Sequence, residues 1–233
     1  MCGRFTLTAS PAELAETFAE FTPPDELQPR YNIAPTQPVA AVANDGQNKI
    51  EYFHWGLIPF WAKDPAIGNR MINARAETLP EKPAFRTAYR RRRCLVLADG
   101  FYEWNKAAKD GEKPVKTPFY ISLESGEPFA FAGLWETWNS PEEALIRSCT
   151  IITTTPNELV AGIHNRMPVI LPRAAYEQWL DPAEQSADSL NSLLVPYPAS
   201  SMRAYPVSRL VNSPSNDRLE CIAPLPGAPE AWE

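Results

Sequence analysis

A cysteine at position 2, a glutamate between two aromatics (Tyr102-Glu103-Trp104) and a histidine in Ile163-His164-Asn165-Arg166 are where this chain could do chemistry. A small residue at position 2 suits removal of Met1, which would leave Cys2 with an α-amine beside its thiol. Such an amine, with an ordinary pKa of about 7.7–8.0, is partly neutral at physiological pH and can condense with an aldehyde. The thiol, ordinarily near about 8.5, can then attack the imine carbon and close a five-membered ring. Read alone, Cys2 also fits a small apolar residue tucked into the core.

Glu103 stands at the end of the apolar run Cys94-Leu95-Val96-Leu97-Ala98 and is flanked by rings. A carboxylate held against aromatics has a raised pKa and exchanges protons near neutrality. A strand-end glutamate facing water is the alternative. His164 falls at a junction between a short helix and an apolar strand, where scaffolds present reactive groups; it also fits a satisfied structural histidine. Asn73 and Arg75 are two apart, so they share a face if extended. An amide there can orient a substrate, and an arginine can clamp a phosphate. Arg30 to Gln37 and His54 to Trp61 add polar and aromatic groups in expected loops, and tryptophans among arginines suit stacking on unpaired bases.

The elements that must position these groups follow from pattern. Ser10-Pro11-Ala12-Glu13 opens a helix through a capping box. Residues 39–42 and 50–53 read as strands joined through Asn44-Asp45-Gly46. Further strands are expected at 94–98, 119–123, 129–135, 147–153 and 169–171, and helices at 84–90, 157–163, 173–180 and 186–194. There is no alternation of strand and helix, so the expectation is α+β with a mainly antiparallel sheet or barrel-like core and flanking helices. One domain is expected over residues 1–223, with a Pro-rich tail over 224–233.

Composition bounds the partners. The 233 residues, 44% hydrophobic and 21% charged, suit a globular domain. No apolar run is long enough to cross a membrane, and no secretory signal is visible, so a cytoplasmic location is expected. The four cysteines form no C-x-x-C pair and only two histidines exist, which argues against a metal site or disulfide scaffold. No cofactor is expected. Residues 1–93 hold 12 Lys+Arg against 10 Asp+Glu, a net of +2, whereas residues 94–233 hold 10 against 18, a net of −8. Within the first part, residues 70–93 reach +6 and end in Arg90-Arg91-Arg92-Arg93. This run reads either as a phosphate-binding patch or as a solvated helix end.

The set Met-Cys-Gly-Arg-Phe, Arg-Tyr-Asn-Ile-Ala-Pro-Thr, Trp-Gly-Leu-Ile-Pro, Ile-Asn-Ala-Arg-Ala-Glu-Thr, Ala-Asp-Gly-Phe-Tyr-Glu-Trp and Ile-His-Asn-Arg-Met-Pro resembles the SOS-response-associated peptidase family in order and spacing. The resemblance runs from Cys2 to about Leu180. Members of that family bind single-stranded DNA and crosslink themselves to abasic sites through the N-terminal cysteine. It implies a thiazolidine between Cys2 and the C1′ aldehyde. His164 would assist sugar ring opening, Glu103 would shuttle protons and Asn73 would orient the sugar or the nucleophile. By the same resemblance Arg4, Arg75 and Arg166 would grip phosphates, and Trp61 and Trp104 would contact flanking bases. Asn32, Pro35, Arg86 and Thr153 complete the implied DNA-binding set. The expected partner is single-stranded DNA containing abasic sites, with an adjoining duplex, bound by a monomer that joins the nucleoid when on DNA. A cysteine peptidase or N-terminal-nucleophile hydrolase using Cys2 and His164, and a non-catalytic single-strand-binding module, are the rival readings.

Overall fold

Short β-branched and aromatic runs bounded by Pro, Gly, Asn and Asp set the strands of the computed structural model, which describes residues 2–24, 26–105, 116–140 and 145–227. In chain order they are β1 (Phe5–Leu7), β2 (Arg30–Ile33), β3 (Pro38–Ala43), β4 (Ile50–Trp55), β5 (Asn73–Arg75), β6 (Arg93–Ala98) and β7 (Gly100–Asn105). There follow β8 (Thr117–Leu123), β9 (Phe129–Asn139), β10 (Leu145–Thr154), β11 (Met167–Pro168), β12 (Ile170–Leu171) and β13 (Met202–Pro206). The α-helices are α1 (Pro11–Thr17), α2 (Arg86–Arg91), α3 (Glu158–Ala161), α4 (Tyr176–Leu180) and α5 (Ala187–Asn191).

Five strands close into a ring. β3 pairs with β4 and β6, β6 with β9, β9 with β10, and β10 returns to β4. Closure removes the unpaired strand edges that an open sheet exposes. The ring is antiparallel except at β10–β4, and β5 also joins β10 in parallel. A second, antiparallel sheet runs β13-β8-β7-β1-β2. The chain passes from ring to sheet through Asp99, between β6 and β7. Phe5 and Phe101 of the sheet meet Phe131 of the ring edge-on, with centroids 5.7 and 6.0 Å apart, and Phe5 meets Trp55 at 5.0 Å. The architecture is the α+β, mainly antiparallel, barrel-like one that the pattern predicts.

Details depart from that pattern. The expected 39–42 and 50–53 hairpin is β3 and β4, and its turn uses Gly46 at φ +79°, a conformation that costs a Cβ-bearing residue. The Ser10–Glu13 capping box is present. The later helices are shorter than their periodicity. Residues 157–163 contain only α3, capped by Asn157, residues 173–180 open with a 3-10 turn, and residues 186–194 contain α5 behind its Ser186 cap. Helices this short have little propagation to offset nucleation, and packing of single residues such as Val160 and Leu190 holds them. The segments expected as loops at 30–37 and 54–61 begin as β2 and the end of β4. Asn32 is tolerated inside β2 because its amide is fully bonded, as described below.

The arginine run is structural. Arg93 is fully buried and donates to the carbonyls of Trp179, Tyr89, Arg90, Asp181 and Ala183. Arg92 pairs with Glu136 at 2.8 Å, and Arg90 and Arg91 both reach Glu184. All four fasten α2 and β6 to their neighbours. The expected tail begins pinned: Pro224 bridges Val207, and the Leu225 N–H donates to Pro206 O. Its last part, residues 228–233, lies outside the described residues, as does Met1. No helix among the described residues is long and apolar enough to cross a membrane.

Candidate active site

The register of the second sheet brings the amino-terminal segment to Glu103. Phe5 lies opposite Phe101, and the Tyr102 N–H donates to Arg4 O at 3.0 Å, so the antiparallel register continues toward Gly3 opposite Glu103. Cys2 is buried at the head of this segment, with its thiol directed at Arg4 O 3.7 Å away. From the ring side, β10 carries β5 in parallel with Ile151 opposite Asn73. That pairing aims Asn73, whose Nδ2 donates to Cys2 O at 2.7 Å. Asn73 Oδ1 is buried and has no hydrogen-bond partner among the described residues. That oxygen is thus an unused acceptor beside Cys2 among the described residues.

His164 arrives on the loop between α3 and β11, which β10 holds through Thr153 and Pro168. The Asn105 amide at the end of β7 donates to Gly162 O at 3.3 Å and ties the same loop to the strand of Glu103. His164 Nε2 stands 3.9 Å from Glu103 Oε2. Its Nδ1 accepts from the Arg166 backbone N–H at 3.1 Å. The same Nδ1 lies 3.2 Å from Arg166 O, so the Arg166 backbone orients the ring and leaves Nε2 facing Glu103.

Electrostatics at this point follow burial. Glu103 is 2% exposed. Loss of water pushes its carboxyl up to about 7, against a downward pull from the chain's terminal ammonium and, less, from the Trp104 backbone N–H. Burial, and behind it the Glu103 carboxylate, drives the Cys2 thiol well above the ordinary cysteine range. The sulfur is therefore protonated at neutral pH, beside a carboxyl group able to accept and return a proton there. The described residues hold no cluster of three metal-ligating side chains.

The family model for SOS response associated peptidase (SRAP) matches residues 1–214. This chain belongs to the SRAP family. It is 50% identical over 225 residues to the abasic site processing protein YoqW of Bacillus subtilis (strain 168), covering 95% of this chain and 99% of that one. It is 31% identical over 265 residues to the abasic site processing protein HMCES of Gallus gallus, covering 97% and 78%. In three dimensions it is similar to a solved protein from Bacteroides thetaiotaomicron at a TM-score of 0.84 and 27% identity, covering 96% and 100%.

Around the centre of this SRAP chain the remaining sequence-assigned residues divide. Arg75 on β5, Arg86 on α2 and Trp61 are exposed, Trp61 beside Phe60. Pro35, half-buried, sits in the turn closed by the Gln37 N–H on Ala34 O. Arg4 instead spends its guanidinium on Val211 O (2.6 Å), Asn212 O (3.2 Å) and Asn32 Oδ1 (2.9 Å). Asn32 is fully buried and its Nδ2 donates to the carbonyls of Val211, Ser213 and Asn216. Trp104 is half-buried and donates from Nε1 to Asn212 Oδ1 at 2.8 Å. Thr153 is fully buried, its hydroxyl 3.4 Å from Ala74 O. Arg166 is held by Glu77 and by Thr153 O.

Sequence reading did not single out Asn105, Asn212 or Glu77. Glu77 had a signal, since it follows Arg75 by two in the Asn-Ala-Arg-Ala-Glu run. Asn212 had none, because it reaches Trp104 from a distant part of the chain.

Proposed function

We propose that this protein traps abasic sites in single-stranded DNA as a covalent thiazolidine on Cys2. The observation that carries this reading is the convergence of four side chains from separate elements. Asn73 bonds to Cys2, the Glu103 carboxylate acts on the Cys2 thiol, and His164 presents Nε2 to Glu103. The names of the relatives, abasic site processing proteins, support the same substrate.

Removal of Met1 liberates the Cys2 amine. Protonated His164 gives a proton to the ring oxygen of the closed sugar as the C1′–O4′ bond breaks, and the C1′ hydroxyl proton returns to His164 as the aldehyde forms. The amine adds to C1′ and water leaves, giving an imine. Sulfur then bonds to C1′, while the thiol proton passes through Glu103 to the imine nitrogen. The net reaction joins amine, thiol and aldehyde with loss of one water. Because the thiol is held protonated, the amine reacts first and ring closure needs the Glu103 carboxylate. Each acid–base role contributes about 10²–10⁴-fold, and confinement of the amine at the aldehyde adds an entropic advantage.

A peptidase reading asks for a thiolate paired with a histidine and a lowered cysteine pKa. Here burial drives the thiol the other way, and His164 faces Glu103. Intact-mass spectrometry tests the proposal. The chain is expected at its mass without Met1, and after mixing with an abasic oligonucleotide it gains the mass of that oligonucleotide less one water. A heat-stable adduct of unchanged mass on Cys2→Ala would overturn it.

A further inference from the structure

The guanidinium of Arg166 is already filled by a carboxylate. Glu77 accepts from Nη1 at 2.6 Å and from Nη2 at 3.0 Å, a two-pronged geometry that a phosphate can also satisfy. Nη2 also donates to Thr153 O at 2.6 Å, while Nε is buried without a partner among the described residues. The Arg166 side chain is only 14% exposed but that of Glu77 is 49% exposed, so the carboxylate is the movable half of the pair. Glu77 sits on the 3-10 turn directly after β5 and also feels the exposed Arg75. It thus lies between two arginines assigned by sequence to the DNA backbone. The backbone of Arg166, meanwhile, fixes the His164 ring.

We propose that Glu77 occupies the phosphate subsite of Arg166 until a strand displaces it, and so weakens reversible strand binding. The inference rests on the reading of Arg166 as a phosphate contact. A backbone phosphate entering this subsite exchanges with a carboxylate of matching geometry, so part of its attraction is cancelled. Reversible affinity is lowered for every strand, intact or abasic. A strand bonded to Cys2 no longer depends on that affinity, so the effect bears on loading and release and not on the finished adduct.

Binding of an intact single-stranded oligonucleotide, followed by fluorescence anisotropy across a salt series, tests this without any covalent step. Glu77→Gln removes one negative charge and keeps an acceptor oxygen for Arg166. It is expected to bind the intact strand about threefold to fivefold more tightly at low salt, the size of one close charge–charge interaction in water. The slope of log affinity against log salt is expected to steepen by about 0.7, one added phosphate contact on a single strand. Adding Arg166→Ala to Glu77→Gln is expected to abolish the gain. Equal or weaker binding by Glu77→Gln, which is what a purely structural strut predicts, overturns the proposal, as does a gain that survives loss of Arg166. Adduct formation on an abasic strand, read separately on a denaturing gel, reports on the crosslinking reading alone.

Discussion

In the proposed reaction Cys2 is a nucleophile that burial keeps protonated and Glu103 an acid–base group that burial tunes. Cys2→Ala is expected to abolish adduct formation while leaving reversible strand binding within about twofold, because no phosphate contact is removed; gel shift and denaturing gel separate the two. Glu103→Gln keeps the shape but can neither take up nor release a proton near neutrality, so the adduct rate at neutral pH is expected to fall about 100-fold. The same variant has a stability signature. The Glu103 carboxyl titrates near about 7 in the folded protein, against an ordinary value of 4.5. Between those values the folded state holds a proton that the unfolded chain has released, so this group makes stability fall as pH rises through that window. Above about pH 7 Glu103→Gln is therefore expected to be more stable by roughly 1–3 kcal/mol, and below about pH 4.5 by nothing. Denaturant titrations at the two pH values read the difference, and a destabilised variant at high pH would mean that the carboxylate's contacts outweigh its desolvation.

Elements fix the distance between these groups, and β7 does so most directly. Gly100 starts that strand where a Cβ would meet the Tyr120 hydroxyl at 2.2 Å and its ring carbons at 2.3 and 2.5 Å. Tyr120 cannot simply step aside, because its ring is packed between Tyr102 and Tyr205. Gly100→Ala is expected to cost about 1–3 kcal/mol in thermal unfolding and to slow crosslinking through displacement of Glu103; an unchanged melting temperature would contradict this packing. Much at this scale was legible in the sequence. The apolar runs gave the ring strands, and the spacing of Asn73 and Arg75 gave an extended pair that β10 indeed holds as β5. What stayed hidden was whatever depends on main-chain carbonyls. Arg4 and Asn32 have the composition of DNA contacts, yet the carbonyls of residues 211–216 claim them. Carbonyls carry no side-chain signature, so nothing in the residue types separates a clamp of this kind from a phosphate grip. The two-pair parallel contact that closes the ring, β10 to β4, was unreadable for the same reason.

At the scale of the whole molecule, charge that looks continuous in sequence is divided in space. Residues 70–93 carry +6, but Arg90, Arg91 and Arg92 face carboxylates and Arg93 is interior, which leaves Arg70, Arg75, Lys82 and Arg86 exposed outside that run. Arg75→Ala is expected to reduce the salt slope of single-strand binding by about 0.7, whereas Arg90→Ala combined with Arg91→Ala leaves it unchanged; equal losses would restore the run as a phosphate patch. The interior arginine has one more consequence. Its bonds end on peptide oxygens alone, from Tyr89 and Arg90 on one side and from Trp179, Asp181 and Ala183 on the other, so a single side chain joins two distant stretches of main chain. Arg93→Met should thus loosen the molecule at that seam first, with deuterium entering the amides of α2 and α4 long before those of β9.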